Sequence, residues 1–216
     1  MIPARIVLVA LSLAALTASA DAPSPPGCQE ALARLIEASR KAAAPTQAHF
    51  RHVLQAKTLN QTEVEEGVVI LAPGGKMRWE YTRPPGKLAV SDGKTSYLFL
   101  PESNEVFVQP LGPDAPLLFR LLSGHVKLSE EVACRGVVSD GTRAILSLKL
   151  LKPNAEVDHV EVTTDAKSGE VVEVRYADAL GNEISLSLSE VQQPKDVPES
   201  TFAFKIPQGA RVIKAE

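Results

Sequence analysis

Residues 74–111 read GGKMRWEYTRPPGKLAVSDGKTSYLFLPESNEVFVQPL, and the fold follows from this stretch. Met77, Trp79 and Tyr81 alternate with Arg78, Glu80 and Thr82, the period-two pattern of a strand with one buried face. Arg83-Pro84-Pro85-Gly86 breaks the run, because proline has no N–H for a ladder and glycine eases the reversal. Lys87 to Ser91 is the next strand. Asp92-Gly93 is a tight hairpin turn, which needs residues that tolerate positive φ. Thr95 to Leu100 returns, Pro101 to Asn104 turns again, and Glu105 to Pro110 adds a fourth strand. The pattern is a β-meander. It holds the single tryptophan and two of the three tyrosines.

Upstream, residues 1–20 stand apart from the fold. Arg5 supplies a positive start, Ile6 to Leu16 is apolar, and Ala18-Ser19-Ala20 is a small-residue cleavage site. This is the form of a secretory signal peptide cut before Asp21. The apolar run is shorter than the ~20 residues of a membrane span. Residues 21–27 are a Pro/Ser-rich flexible linker, and 28–216 are expected to form one domain with an ample core. Without the leader, 22 basic and 26 acidic residues remain, a net charge near −4. No basic cluster interleaved with aromatics exists, so nucleic-acid binding is not indicated.

Cys28 and Cys134 are the only cysteines. In an oxidising compartment they read as one disulfide, tying the N-terminal segment to the middle of the chain. In the chain-entropy model a loop of this size contributes ~4 kcal/mol. A lipid-anchored Cys28 is the alternative, but Pro25-Pro26-Gly27 lies well past the apolar run and lacks the leucine-type residue such processing needs. A redox-active thiol is a second alternative, without the C-x-x-C spacing that supports it.

Residues 28–44 carry Ala31, Leu32, Leu35, Ile36 and Ser39 on one stripe, with Glu30, Arg34, Glu37 and Lys41 opposite, an amphipathic helix of about four turns ended by Pro45. Thr46 to Lys57 and Glu63 to Leu71 are strands. Beyond the meander, Ala115 to Ser123 (APLLFRLLS) is a short helix with five large apolar residues, stopped by Gly124. It is too oily to float free and too short to be a core helix, so it reads as a flap over the sheet. Further strands follow: Lys127–Val138, Arg143–Leu151, His159–Thr164, Val171–Ala177, Glu183–Val191, Thr201–Ile206 and Gly209–Ile213. The fold class is mainly β (α+β), with about eleven strands, mostly antiparallel, and two helices.

Chemistry is sparse. His49 and His52 point to opposite faces of a strand, and no Cys/His/carboxylate cluster completes a metal site around them, His125 or His159. No G-x-S-x-G elbow or phosphate loop occurs. Asp140-Gly141-Thr142 occurs once where an aspartic-protease site needs two carboxylates, so it reads as a turn. Glu63, Glu65 and Glu66 read as a solvated strand edge. No catalytic residue and no cofactor are indicated. Apolar side chains on both faces of several strands fit either an ordinary core or a greasy cavity. Core and cavity lining look the same in sequence.

The stretch Ala72 to Leu111, APGGKMRWEYTRPPGKLAVSDGKTSYLFLPESNEVFVQPL, resembles the LolA family of periplasmic outer-membrane lipoprotein carriers through its RWEY and VSDGK pair. The leader, the helix after it, the Leu-rich helix and the ending Phe202, Phe204, Pro207, Gly209, Val212 match in order. The resemblance implies an unclosed antiparallel β-barrel with helices over its mouth and a cavity for lipoprotein acyl chains. It implies a monomer that takes cargo from an inner-membrane ABC lipoprotein-releasing complex and gives it to an outer-membrane acceptor, without catalysis. The expected walls are Met77, Trp79, Tyr81, Leu88, Val90, Tyr97 and Phe99. The expected lid residues are Leu117, Leu118, Leu121 and Leu122. Where the family has an arginine that holds the lid, this chain has Ala72; Arg78 and Arg120 are the replacements at hand. Rival readings are a lipid- or lipoprotein-sensing module on the same fold, the outer-membrane acceptor itself, and a lipid-processing enzyme.

Overall fold

The computed structural model describes residues 25–41, 44–111, 128–151, 157 and 159–214. The segments expected to be leader and Leu-rich lid lie outside these residues, as does His125.

Helix α1 (Cys28–Lys41) precedes β1 (Thr46–Ala56), β2 (Gln61–Ala72), β3 (Lys76–Arg83), β4 (Leu88–Asp92), β5 (Thr95–Leu100) and β6 (Glu105–Pro110). A short helix α2 (Leu128–Glu131) leads into β7 (Val132–Ser139), β8 (Arg143–Leu150), β9 (His159–Asp165), β10 (Val171–Ala177) and β11 (Glu183–Gln192). A 3-10 turn (Glu199–Phe202) and β12 (Arg211–Lys214) complete the elements among the described residues. Among the described residues, twelve strands form one open sheet in the order β12-β6-β5-β4-β3-β2-β1-β11-β10-β9-β8-β7. Neighbours are antiparallel except β12, which runs parallel to β6. The sheet is the unclosed, mainly β architecture that the sequence predicts.

Two expected elements differ. The first turn of the Lys127–Val138 segment is helical, Leu128–Glu131, with Leu128 buried. Residues 203–207 are unpaired, where Thr201–Ile206 was expected to be a strand. Their alternation is real, but it serves contact with the sheet surface: Phe202 is buried and Phe204 half-buried against it.

One face of the sheet, here the inner face, carries helix α1 and both hydrophobic clusters. The α1 stripe buries Cys28 and Leu35 against Cys134, Leu146, Leu148, Val160, Val162 and Val174, with Ala31, Leu32 and Ile36 packed beside them. Cys28 and Cys134 form the expected disulfide, with Cα atoms 5.7 Å apart. The Arg34 guanidinium donates to the Ala166 carbonyl, 2.8 Å away. That approach requires Gly169, since a Cβ there would stand 2.5 Å from the Arg34 carbonyl oxygen. The second cluster, Ala48, Phe50, Val69, Met77, Trp79 and Leu186, continues the first across the β11–β10 pairing of Leu186 with Val174.

Candidate functional site

Register decides which face each side chain of the meander occupies. Trp79 pairs with Val69 on β2 and with Ala89 on β4, Ala89 with Leu98 on β5, and Leu98 with Phe107 on β6. Paired residues of a sheet share a face. Met77, Trp79 and Tyr81 therefore look inward, together with Leu71, Ala89, Leu98 and Phe107. Met77 and Trp79 are buried, whereas Leu71, Tyr81, Ala89 and Leu98 are half-buried and Phe107 is 37% exposed. An oily strip thus crosses five strands, β2 to β6, without being wholly covered.

The other four expected wall residues do not join it. Leu88 pairs with Glu80 and Phe99, and Val90 with Arg78 and Tyr97, which puts all four on the outer face. There the C-terminal segment lies against them. Phe204 stacks on Tyr97 with ring centroids 5.1 Å apart. Lys76 bonds the Glu199 carboxylate at 2.7 Å, and Arg78 donates to the Thr201 carbonyl at 3.2 Å. Arg78 faces outward and holds this segment. Arg120 and all four expected lid leucines, Leu117, Leu118, Leu121 and Leu122, lie outside the described residues.

Phe50 is the inner-face residue that sequence reading passed over. Its ring meets Trp79 at 4.9 Å and Tyr81 at 5.0 Å, both edge-on. The cross-strand partner is Gly67, whose missing side chain leaves room for that ring. A Cβ on Gly67 would lie 2.8 Å from Phe50 and 2.0 Å from the Glu80 carbonyl oxygen. A glycine opposite an aromatic on a predicted hairpin is the signal that could have found the pair.

The VSDGK motif has a structural task. Buried Ser91 donates to the Gly75 carbonyl at 2.8 Å, and the Asp92 carboxylate accepts the N–H groups of Lys94 and Thr95, each at 2.8 Å. Gly93 sits so near Gly74 that a Cβ would be 2.2 Å from its carbonyl oxygen. The motif locks the β2–β3 and β4–β5 turns together. It thereby fixes the end of the strip that starts at Met77.

A cluster of charged groups stands beside Tyr81 in the strip. Glu65 is not on a solvated edge, because β2 is an interior strand. Its carboxylate accepts from Lys87 at 2.5 Å and lies 3.3 Å from the His52 Nδ1. The Lys87 ammonium stands 4.5 Å above the centre of the Tyr81 ring. Burial works to raise the Glu65 pKa, but hydrogen bonds from His52 and Lys87 outweigh it and hold the group below its ordinary value. Burial, helped by the Glu65 charge, pushes the Tyr81 phenol upward, so it stays protonated.

A separate depression of about 320 Å³ lies on the outer face of β7 to β10, among Ile145, Glu161, Thr163, Glu173 and Arg175. It shares no residue with the strip. No described helix is long and apolar enough to cross a membrane. Among the described residues no three His, Cys, Asp or Glu side chains gather as a metal ion would need.

Comparison with known proteins points the same way as the fold. The family model described as outer membrane lipoprotein carrier protein LolA matches residues 42–205. An outer-membrane lipoprotein carrier protein of Methylobacillus flagellatus is 28% identical over 183 residues, 82% of this chain and 86% of that one. Another, from Pseudomonas putida, is 27% identical over 216 residues, covering 97% and 98%. Among solved structures, an uncharacterized conserved protein from Thermus thermophilus superposes with a TM-score of 0.54 at 16% identity, over 87% of this chain and 98% of that chain. That last likeness concerns the fold alone.

Proposed function

The chain belongs to the outer membrane lipoprotein carrier protein LolA family, and from that premise we propose that it carries lipoproteins across the periplasm by sheltering their acyl chains on the inner face of β2 to β6. The observation that carries this reading is the half-covered strip of Leu71, Tyr81, Ala89, Leu98 and Phe107. Folding normally buries such a surface, and each methylene laid on it is worth about 0.8 kcal/mol. Lipidated cargo needs that shelter to cross water. The acyl-binding residues proposed are Met77, Trp79 and Tyr81 from the sequence reading, with Leu98 and Phe107 added. Leu88, Val90, Tyr97 and Phe99 support the wall from behind.

The Leu-rich segment with Leu117, Leu118, Leu121 and Leu122 acts as a lid in this proposal. Acyl chains displace it, so ligand burial replaces lid burial and net affinity stays modest enough for release. The mature chain works as an exported monomer after loss of residues 1–20. It receives cargo from an inner-membrane ABC lipoprotein-releasing complex and delivers it to an outer-membrane acceptor, with no bond made or broken. The test is a release assay. Mature protein added to inner-membrane vesicles is expected to take up triacylated lipoprotein, seen by mass spectrometry of the repurified protein. Uptake of neither lipid nor lipoprotein sinks the carrier reading.

A further inference from the structure

On the inner face, Ala48, Phe50 and Leu54 of β1 and Ile184, Leu186 and Leu188 of β11 are apolar, and His52 stands among them. His52 pairs with Leu186 on one side and Glu65 on the other, with Phe50 two residues before it and Leu54 two after. Polar groups on such a surface cost free energy unless hydrogen-bonded, and an apolar side chain at each place would fit the pattern better. The sheet instead keeps His52, Glu65, Lys87 and the Tyr81 hydroxyl there. The side chains of His52, Glu65 and Lys87 are 30%, 22% and 17% exposed, sheltered yet within reach of a bound molecule.

The donors outnumber the acceptor. Lys87 has three N–H bonds, of which the Glu65 carboxylate takes one at 2.5 Å. The protonated Tyr81 phenol is a further donor. Tyr81 belongs to the strip and to this cluster at once: its ring touches Phe50, which touches Trp79, and carries the Lys87 ammonium. A chain lying along Trp79 and Tyr81 therefore meets fixed N–H and O–H donors at its next step.

We propose that Lys87, His52 and Tyr81 form a subsite that reads the ester and amide carbonyls at the head of an acyl lipid, with Glu65 holding the donors in place. It rests on the carrier reading and deepens it: the tails are held by oily contact, the head by hydrogen bonds. Selectivity then lies in the head. A lipid with carbonyls next to its chains is preferred over one with the same chains and none.

The experiment compares two ligands on the mature, disulfide-bonded protein: dipalmitoylglycerol and its diether analogue with chains of equal length. Each is titrated as a competitor of a fluorescent fatty acid. The wild type is expected to bind the diester about tenfold more tightly, the scale of a hydrogen bond to a charged donor. Lys87→Met is expected to bring the ratio near one, through loss of diester affinity. Tyr81→Phe, which keeps the ring, is expected to lower the ratio by about threefold and serves if Lys87→Met does not fold. A wild-type ratio of one, or a ratio unmoved in the folded variants, overturns the subsite and leaves the carrier reading standing. Failure of the wild type to bind either lipid overturns both.

Discussion

Tyr97 and Phe204 stack ring on ring, 5.1 Å between centroids, on the face of the sheet opposite Trp79. The meander therefore has two oily faces with different owners. The outer one belongs to the chain's own C-terminal segment, whereas the inner one keeps Tyr81, Ala89, Leu98 and Phe107 partly exposed.

That division separates stability from binding. Phe204→Ala is expected to lower unfolding free energy by about 2 kcal/mol, less than a fully buried phenylalanine because the ring is half-buried. Acyl-lipid affinity should not change. Urea unfolding and a lipid-binding titration on the same sample check both halves; an affinity loss without a stability loss contradicts the assignment of faces.

Leu98→Glu should do the reverse. The side chain is half-buried on the inner strip. A carboxylate there can reach water in the empty protein, but it opposes an acyl chain. Affinity is expected to fall at least tenfold, as burial of an unpaired polar group implies, with the melting temperature within a few degrees of wild type.

Phe50→Ala removes the ring that joins β1 to Trp79 and Tyr81 above Gly67. The expected cost is about 3–5 kcal/mol. Gly67→Ala should be nearly as harmful, because its new methyl meets backbone at 2.0 Å. Chemical denaturation of both variants checks this, and a wild-type midpoint for Gly67→Ala would show that the bulged register there can relax.

Thiol titration of the denatured, unreduced mature protein should find no free thiol, since Cys28 and Cys134 are joined. Replacing both by serine should cost about 2–5 kcal/mol, with the loss centred on α1 and β7. Hydrogen exchange that speeds up in β3 rather than in α1 would count against that location.

Acid should loosen the β7–β8 hairpin. Asp140 accepts the N–H groups of Thr142 and Arg143 and the Thr142 hydroxyl, and its pKa is drawn down to about 2 from 3.8, first by the Arg143 N–H. A carboxylate lowered on folding stabilises above its unfolded pKa and loses that contribution as pH falls through its folded value. The loss therefore runs from about pH 4 down to about pH 2. Asp140→Asn should flatten the melting curve across that window relative to wild type. Parallel curves would remove this carboxylate from the acid response.

Much of this was legible in residue order. Period-two alternation and the Pro, Gly and Asp-Gly turns place β3 to β6 within a residue or two of their observed bounds. What alternation cannot convey is which face of β4 and β5 looks inward when both faces are apolar. Leu88, Val90, Tyr97 and Phe99 are the larger set, so they attract the eye, yet the pairing of Trp79 with Ala89 turns them outward. That pairing depends on the geometry of the Arg83–Gly86 turn, and their cover comes from Phe202 and Phe204, more than a hundred positions away. Glu65 is misread for a related reason: its partner His52 lies on β1 and Lys87 just before β4, and neither spacing advertises the cluster.

Strand β12 lies beside β6 although residues 111–210 intervene between them. Until that final strand docks, with Arg211 meeting Glu105, one flank of β6 has backbone groups unclaimed by any neighbour. In a chain that emerges front end first, that flank stays uncovered while residues 111–210 follow. Shielding that flank from other copies of the chain is thus a task left to residues 211–214.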